Sequence, residues 1–108
     1  MIMINRAVML KESSFDELTI NAVWNKARYV STEHENRGLR KDLCGAWILR
    51  SAYGDRDNNY GWEIDHIVPT SKGGSDSLVN LQPLHWQNNA AKGDGPLVCA
   101  VSAQSYRS

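Results

Sequence analysis

Residues 62–69, which read Trp-Glu-Ile-Asp-His-Ile-Val-Pro, decide the fold predicted for this chain. They are rich in aromatic and branched residues, as a β-strand is, and the proline ends the strand. A similar run at 46–49 precedes them across a turn-rich segment, so we expect two strands joined by a loop. Beyond the proline, a polar loop with two glycines at 70–78 leads to a short extended piece at 80–84 and a helix at 85–92. The predicted order is strand, loop, strand, helix.

The segments on either side carry weaker patterns. Ser14 stands three residues before Glu17, as in a capping box, and an apolar stripe that begins at Leu18 follows it, which predicts a helix over residues 15–29. Residues 97–101 are apolar, and we expect them to form an extra packed strand or helix turn. Both segments would then pack on the same core as the strands.

The composition is that of one small globular domain. The chain has 108 residues, of which 42% are hydrophobic and 22% charged. Twelve basic residues balance twelve acidic ones, so no overall positive field draws nucleic acid to the protein. The sequence has no apolar run of about 18 residues to span a membrane and no secretory signal. We therefore expect a soluble, cytoplasmic protein.

The two cysteines, Cys44 and Cys99, lie far apart in the sequence and form no Cys-x-x-Cys pair. Neither a disulfide framework nor a complete zinc ribbon can be read from them. We expect two reduced, packed thiols rather than a disulfide bond between them.

Polar residues with metal-binding chemistry concentrate between positions 65 and 92. His85 and Asn89 are four residues apart on the predicted helix and share one face, and Asp65 can complete a cluster with them. Carboxylate, imidazole and amide form a mixed ligand set that fits one Mg²⁺, Mn²⁺, Ni²⁺ or Zn²⁺ ion and leaves open positions for water and substrate. His66 is then spare, and its neutral imidazole suits proton removal from water. The pattern indicates phosphodiester hydrolysis assisted by a metal ion.

Asp65 and His66 raise one geometric difficulty. Neighbours on a regular strand point to opposite faces, so the two side chains cannot both address one point from an ideal strand. We therefore expect a twist or a bulge at this strand end, near Pro69.

Four segments stand in a recognisable order: residues 62–69, the glycine pair 73–74, Asn-Leu-Gln-Pro-Leu-His at 80–85 and Asn-Ala-Ala-Lys-Gly-Asp at 89–94. Together they resemble the HNH endonuclease family, and the likeness covers residues 40–94. The resemblance implies a ββα-metal fold and a divalent-metal-dependent nuclease.

The resemblance also implies roles for single residues. It makes Asp65 a metal ligand, His66 the general base and Asn89 a ligand carried by the helix. Asn80 takes a structural role, because the corresponding asparagine ties down the loop between the strands and so holds the base. His85 corresponds to a position that varies among relatives, and we expect a direct ligand there or a contact to the substrate or to another ligand.

One frequent family feature is missing. Many HNH proteins flank the core with two Cys-x-x-Cys pairs that hold a structural zinc ion, but Trp47 stands where a second cysteine could follow Cys44, and residues 85–88 contain no cysteine. We expect no structural zinc, and we expect large apolar side chains to anchor the core instead. These are the four tryptophans, Trp24, Trp47, Trp62 and Trp86.

The charges are unevenly divided, which bears on substrate binding. Residues 36–56 hold five basic and two acidic side chains, and residues 57–94 hold two basic and five acidic ones. Phosphate contacts position a nucleic acid, and Arg40, Lys41 and Lys92 are the best candidates for them, with a plain solvated surface as the alternative.

The sequence as a whole predicts a small single α+β domain, with an N-terminal helix, a β hairpin and a ββα-metal core. The expected divisions are an N-terminal helical segment at 1–35, the HNH nuclease core at 36–94 and a C-terminal extension at 95–108. The expected partner is DNA, without a membrane, either in a homodimer or within a larger phage or restriction assembly. The alternative function is a nucleic-acid-binding or assembly module that keeps the HNH fold but does not cleave.

Overall fold

A computed structural model describes residues 15–102 of the chain. Within these residues, two antiparallel hairpins and three α-helices make a small α+β fold, as predicted. The helices and strands are, in chain order, α1 (Glu17–Trp24), α2 (Thr32–Asn36), β1 (Leu39–Lys41), β2 (Trp47–Leu49), β3 (Trp62–His66), β4 (Leu81–His85) and α3 (Trp86–Lys92). None of the helices within 15–102 has the length and apolar character to cross a membrane.

Helix α1 is shorter than the predicted helix over 15–29. Asp16, at the N-cap, accepts a hydrogen bond from the backbone N–H of Thr19, while the expected cap Ser14 lies outside the described residues. The helix ends at Trp24, because the chain turns there to pair Arg28 with β1. Leu18 was expected in the apolar stripe but is 80% exposed, whereas Val23 and Trp24 are buried as expected, together with Ile20.

The two hairpins form separate sheets. Strands β2 and β3, which contain the two strands predicted from the sequence, therefore lie in different sheets and do not pair with each other. Strand β2 pairs with β1, and β3 pairs with β4. The second pairing runs in unbroken register from Trp62 opposite His85 to His66 opposite Leu81. The bulge expected at Asp65 is therefore absent.

The core lies between α1 and the faces of the two hairpins. The rings of Trp24 and Trp62 are 5.2 Å apart at its centre, with Ile48 and Leu81 packed around them. Of the four tryptophans, only Trp86 is not buried. Aromatic burial thus anchors this small core, in agreement with the sequence.

A buried carboxylate ties the first hairpin to the start of α3. Asp42 accepts hydrogen bonds from the backbone N–H groups of Cys44 and Ala46 through one oxygen, and from the backbone of His85 and the side chain of Asn88 through the other. These positions lie where Cys-x-x-Cys pairs hold zinc in many HNH proteins. Hydrogen bonds donated to a single carboxylate therefore link the two segments here.

Cys44 and Cys99 form a disulfide bond, so the expectation of two reduced thiols is wrong. Their Cα atoms are 5.6 Å apart, within the range for a disulfide. The sequence could not show this, because the approach depends on the chain after α3 folding back onto the first hairpin. The side chain of Asn88 makes two hydrogen bonds to the backbone of Val101 and holds the same segment.

Residues 97–102 are neither a strand nor a helix turn, contrary to the prediction. Val98 is 52% exposed, so the apolar run does not fill the core. The segment is fixed by the disulfide and by Asn88 instead. The rest of the expected C-terminal extension, 103–108, lies outside the described residues.

Candidate active site

A cleft of about 260 Å³ opens where β3 ends and α3 runs alongside it. Three of the predicted site residues, Asp65, His66 and Asn89, line this cleft together. Asp94, just after α3, lines it as well. Asp65 and His66 are neighbours on one strand, yet both line the cleft without a bulge. His66 is the last residue of β3, and the cleft extends around the end of that strand.

Asp65 is a buried carboxylate with two neighbours. One of its oxygens accepts a hydrogen bond of 2.9 Å from the side chain of Gln82, its partner across the hairpin. The other lies 3.3 Å from the ammonium group of Lys92, which is also buried and donates to the backbone carbonyl of His66. A carboxylate has about four acceptor positions, so Asp65 keeps capacity for a further cation.

Asn89 is oriented by a carboxylate on β3. Its amide nitrogen donates a 2.7 Å hydrogen bond to Glu63, which in turn receives two hydrogen bonds from the guanidinium of Arg56. Burial by itself would raise the pKa of Glu63, but the bonds from Arg56 and Asn89 outweigh it and lower that pKa below its usual range. Glu63 is therefore an anion that fixes the NH₂ side of Asn89, which leaves the amide oxygen as the acceptor.

His66 is held by an acidic residue from the loop between β3 and β4. Its Nε2 is 2.7 Å from Oδ1 of Asp76. The ring also lies near Phe15, with centroids 5.9 Å apart. No hydrogen bond to Nδ1 comes from residues 15–102, so this nitrogen has no hydrogen-bond partner in the described part of the chain.

Asn80 fastens the same loop. Its side chain pairs with both backbone groups of Val68, at 2.8 and 3.1 Å, and donates to the carbonyl of Ser75 at 2.8 Å. The loop approaches so closely that a Cβ on Gly74 would lie 1.7 Å from the carbonyl oxygen of Val68, which only glycine permits. This arrangement matches the loop-holding role that the resemblance implies.

The structure does not bring His85 to the cleft. The residue was expected on the helix, but it ends β4, opposite Trp62, and caps α3. Its side chain is fully buried, with Nε2 donating to the carbonyl of Asn59 and Nδ1 accepting from the backbone N–H of Gln87. Both ring nitrogens are used, so binding a metal would break one of these bonds.

The predicted phosphate contacts are mostly engaged inside the protein. Arg40 makes a bidentate ion pair with Glu35 and lies over Trp24, and Lys92 is buried against Asp65. Lys41 is the exception.

The ammonium group of Lys41 rests 4.7 Å from the centroid of the Trp47 ring, at a second groove of about 320 Å³ that Arg28 also lines. No hydrogen bond or ion pair to the side chain of Arg28 or of exposed Lys72 comes from residues 15–102. The positively charged side chains of Lys41, Arg28 and Lys72 are therefore available to bind an anionic ligand.

Sequence reasoning missed the residues that orient the site: Glu63, Asp76 and Gln82. A signal existed for Gln82, because once His66 is placed opposite Leu81 the next pair joins Asp65 to Gln82. Asp76 lay inside the polar glycine loop, and nothing local distinguished it from a turn residue. Glu63 lay next to the motif, but its partner is 26 residues away on α3.

Comparison with known families settles what kind of domain this is. The sequence model described as HNH endonuclease matches residues 44–95. Residues 44–95 belong to the HNH endonuclease family. The match spans the cleft, both strands of the second hairpin and α3, so the HNH domain contains every residue of the candidate site. No curated protein and no solved structure shows significant similarity to the chain.

The HNH family implies a divalent metal ion, and the donors in the cleft can be tested against it. No group of three or more histidine, cysteine, aspartate or glutamate side chains suited to a metal ion occurs within residues 15–102. The cleft instead offers one carboxylate, Asp65, and one amide oxygen, Asn89. An ion held by one or two protein oxygens, with water and phosphate oxygens completing its shell, is the pattern of Mg²⁺, so the residues fit a hard cation.

Proposed function

We propose that this HNH domain is a metal-dependent endonuclease that hydrolyses phosphodiester bonds in DNA, with His66 as general base. The observation that supports the proposal is the single cleft shared by Asp65, His66 and Asn89. A histidine nitrogen with no hydrogen-bond partner in residues 15–102, in one cleft with a carboxylate and an oriented amide oxygen, can serve the hydrolysis of a phosphate diester.

In this proposal His66 takes a proton from a water molecule at Nδ1. The water oxygen forms a new bond to phosphorus, and the bond from phosphorus to one bridging ester oxygen breaks. Asp65 and Asn89 would hold the divalent ion, which when bound stabilises the negative charge on the phosphate and on the departing oxygen. Lys92 keeps the buried charge of Asp65 balanced.

The ligand set narrows the choice of ion. The sequence allowed Mg²⁺, Mn²⁺, Ni²⁺ or Zn²⁺, in part because it counted the imidazole of His85. Without that nitrogen the protein donors are oxygens, which favour Mg²⁺ or Mn²⁺ over Ni²⁺ and Zn²⁺. We propose Mg²⁺ or Mn²⁺ as the ion.

Lys41, Arg28 and Lys72 are the proposed contacts to the phosphate backbone. They replace Arg40 and Lys92, which are engaged within the protein. With equal numbers of basic and acidic residues, DNA affinity depends on this local charge and falls steeply as salt rises. Weak binding by the isolated chain would fit the expected homodimer or larger assembly.

The compartment and the domain limits stay predictions. A cytoplasmic location was expected, but disulfide bonds form and persist in oxidising environments, so the bridge between Cys44 and Cys99 favours one of those. We keep residues 36–94 as the proposed nuclease core.

Nicking of supercoiled plasmid DNA tests the proposal. Wild-type protein is incubated with Mg²⁺, with Mn²⁺ and with a chelator, beside His66→Ala and the control His34→Ala. His34 stacks on Trp47, away from the cleft. We expect nicking by the wild type and by the control, and none with the chelator or with His66→Ala.

Two results would count against the proposal. A folded wild type that binds DNA but leaves it intact with every ion would favour the module that does not cleave. Full activity in His66→Ala would remove His66 as the base while leaving cleavage established.

A further inference from the structure

The acidic residue beside the base has a chemical consequence, provided that the proposed function holds. We propose that Asp76 is a positioning residue that keeps the proton of neutral His66 on Nε2 and so leaves Nδ1 free to accept a proton from water. Neither the sequence pattern nor the family match assigned Asp76 a role.

The hydrogen bond between His66 and Asp76 determines which ring nitrogen carries the proton. Nε2 of His66 lies 2.7 Å from Oδ1 of Asp76, and an ionised carboxylate can only accept a hydrogen bond. Nε2 must therefore carry the hydrogen, and in a neutral imidazole the lone pair is then on Nδ1. Without an acceptor at Nε2, molecules with the proton on Nδ1 would also be populated, and those cannot act as the base through that atom.

The loop presents Asp76 to His66 in a defined place. Asn80 donates to the carbonyl of Ser75, the residue before Asp76. Gly74 donates its backbone N–H to the carbonyl of Pro69, which closes the start of the loop. Asn80 thus holds the loop that carries Asp76, and Asp76 in turn contacts the ring of His66.

The pair is not needed to hold the protein together. The side chain of Asp76 is 74% exposed, and no second contact to it comes from the described part of the chain. An exposed polar contact of this kind contributes little to the stability of a fold. Loss of Asp76 should therefore change the ring of His66 and the reaction while leaving folding intact.

The test uses Asp76→Asn, Asp76→Glu and the control Asp57→Asn, which changes an aspartate on the loop before β3, outside the cleft. Nitrogen-15 NMR of the histidine rings reads which nitrogen of neutral His66 carries the proton. Plasmid nicking gives kcat and KM for the same proteins.

We expect the wild type and Asp57→Asn to hold the proton on Nε2, and Asp76→Asn to show a mixture of the two forms. In the same variant kcat should fall about 10- to 100-fold, because the loss of a positioning residue removes only part of the roughly 100- to 10,000-fold that a general base supplies, and KM should be nearly unchanged. Asp76→Glu keeps a carboxylate, so it should restore part of the preference for a proton on Nε2 and part of the lost kcat.

The proposal is overturned if Asp76→Asn leaves the proton wholly on Nε2, or if kcat stays within about twofold of the wild type. It is likewise overturned if Asp76→Asn and Asp57→Asn lower kcat equally. A wild type without nuclease activity would instead defeat the proposed function, and the NMR comparison would still decide whether Asp76 positions the ring.

Discussion

Replacing Asp42 with alanine should destabilise the fold more than any surface substitution. The buried carboxylate accepts four hydrogen bonds, two within its own hairpin and two from the start of α3, at distances of 2.9 to 3.0 Å. Alanine leaves the four donors without their acceptor, in a place where the residue is only 4% exposed. At a little over 1 kcal/mol for each bond, the loss is about 4–6 kcal/mol.

That loss is comparable to the whole stability of a small domain, which is about 5–15 kcal/mol. Urea unfolding followed by tryptophan fluorescence measures it, because Trp24 and Trp62 are buried in the core. Asp42→Asn keeps one acceptor oxygen and should lose about half as much. Asp57→Ala serves as the control and should stay within about 0.5 kcal/mol of the wild type.

The reasoning is refuted if Asp42→Ala costs less than about 1 kcal/mol with an unchanged slope of unfolding free energy against urea. Such a result would mean that water replaces the carboxylate, and that other contacts join the first hairpin to α3. Recovery of the lost stability by added zinc would also contradict the assignment, since hydrogen bonds and not a metal ion hold this junction.

Three further outcomes can be measured. Reduction, or Cys99→Ser, should lower the free energy of unfolding by about 4 kcal/mol, as expected for a loop of this length, and an equal midpoint with and without reductant would contradict the bridge. Lys92→Met leaves the buried charge of Asp65 unbalanced and should cost about 3 kcal/mol, part of which Mg²⁺ should restore; a midpoint insensitive to Mg²⁺ would argue against an ion at Asp65. The pKa of Glu63 is lowered in the folded state, so its contribution to stability is complete above its usual value of about 4.5 and is lost as pH falls through the folded pKa. The unfolding free energy of the wild type should therefore fall more steeply in acid than that of Glu63→Gln, and parallel curves would contradict this.

The three residues proposed for the reaction could be brought together from the sequence because their positions are set locally. Asp65 and His66 are neighbours at one strand end, and Asn89 follows from the phase of a short helix. The order of strand, glycine loop, strand and helix was also readable, since proline and glycine mark its turns.

The supporting groups could not be predicted, because their roles depend on long-range contacts. His85 has the residue type of a ligand, yet its position at the end of β4 turns it into the interior, where both ring nitrogens find partners. Asp42 looked like one acid within a basic stretch, and its partners on α3 lie more than 40 residues away. The distribution of charges along the sequence did not identify which basic residues are available to phosphate, because Arg40 and Lys92 pair with acidic residues within the fold.

The disulfide encloses the candidate active site in a covalent ring. Both strands of the second hairpin, the glycine loop and α3 lie between the two cysteines. A protease that cuts once in the exposed segment 54–57 would therefore leave two fragments that still migrate together until a reductant is added. Fragments that end before residue 99 cannot close the ring, so shortened versions of the domain should resist proteolysis less well than the longer chain.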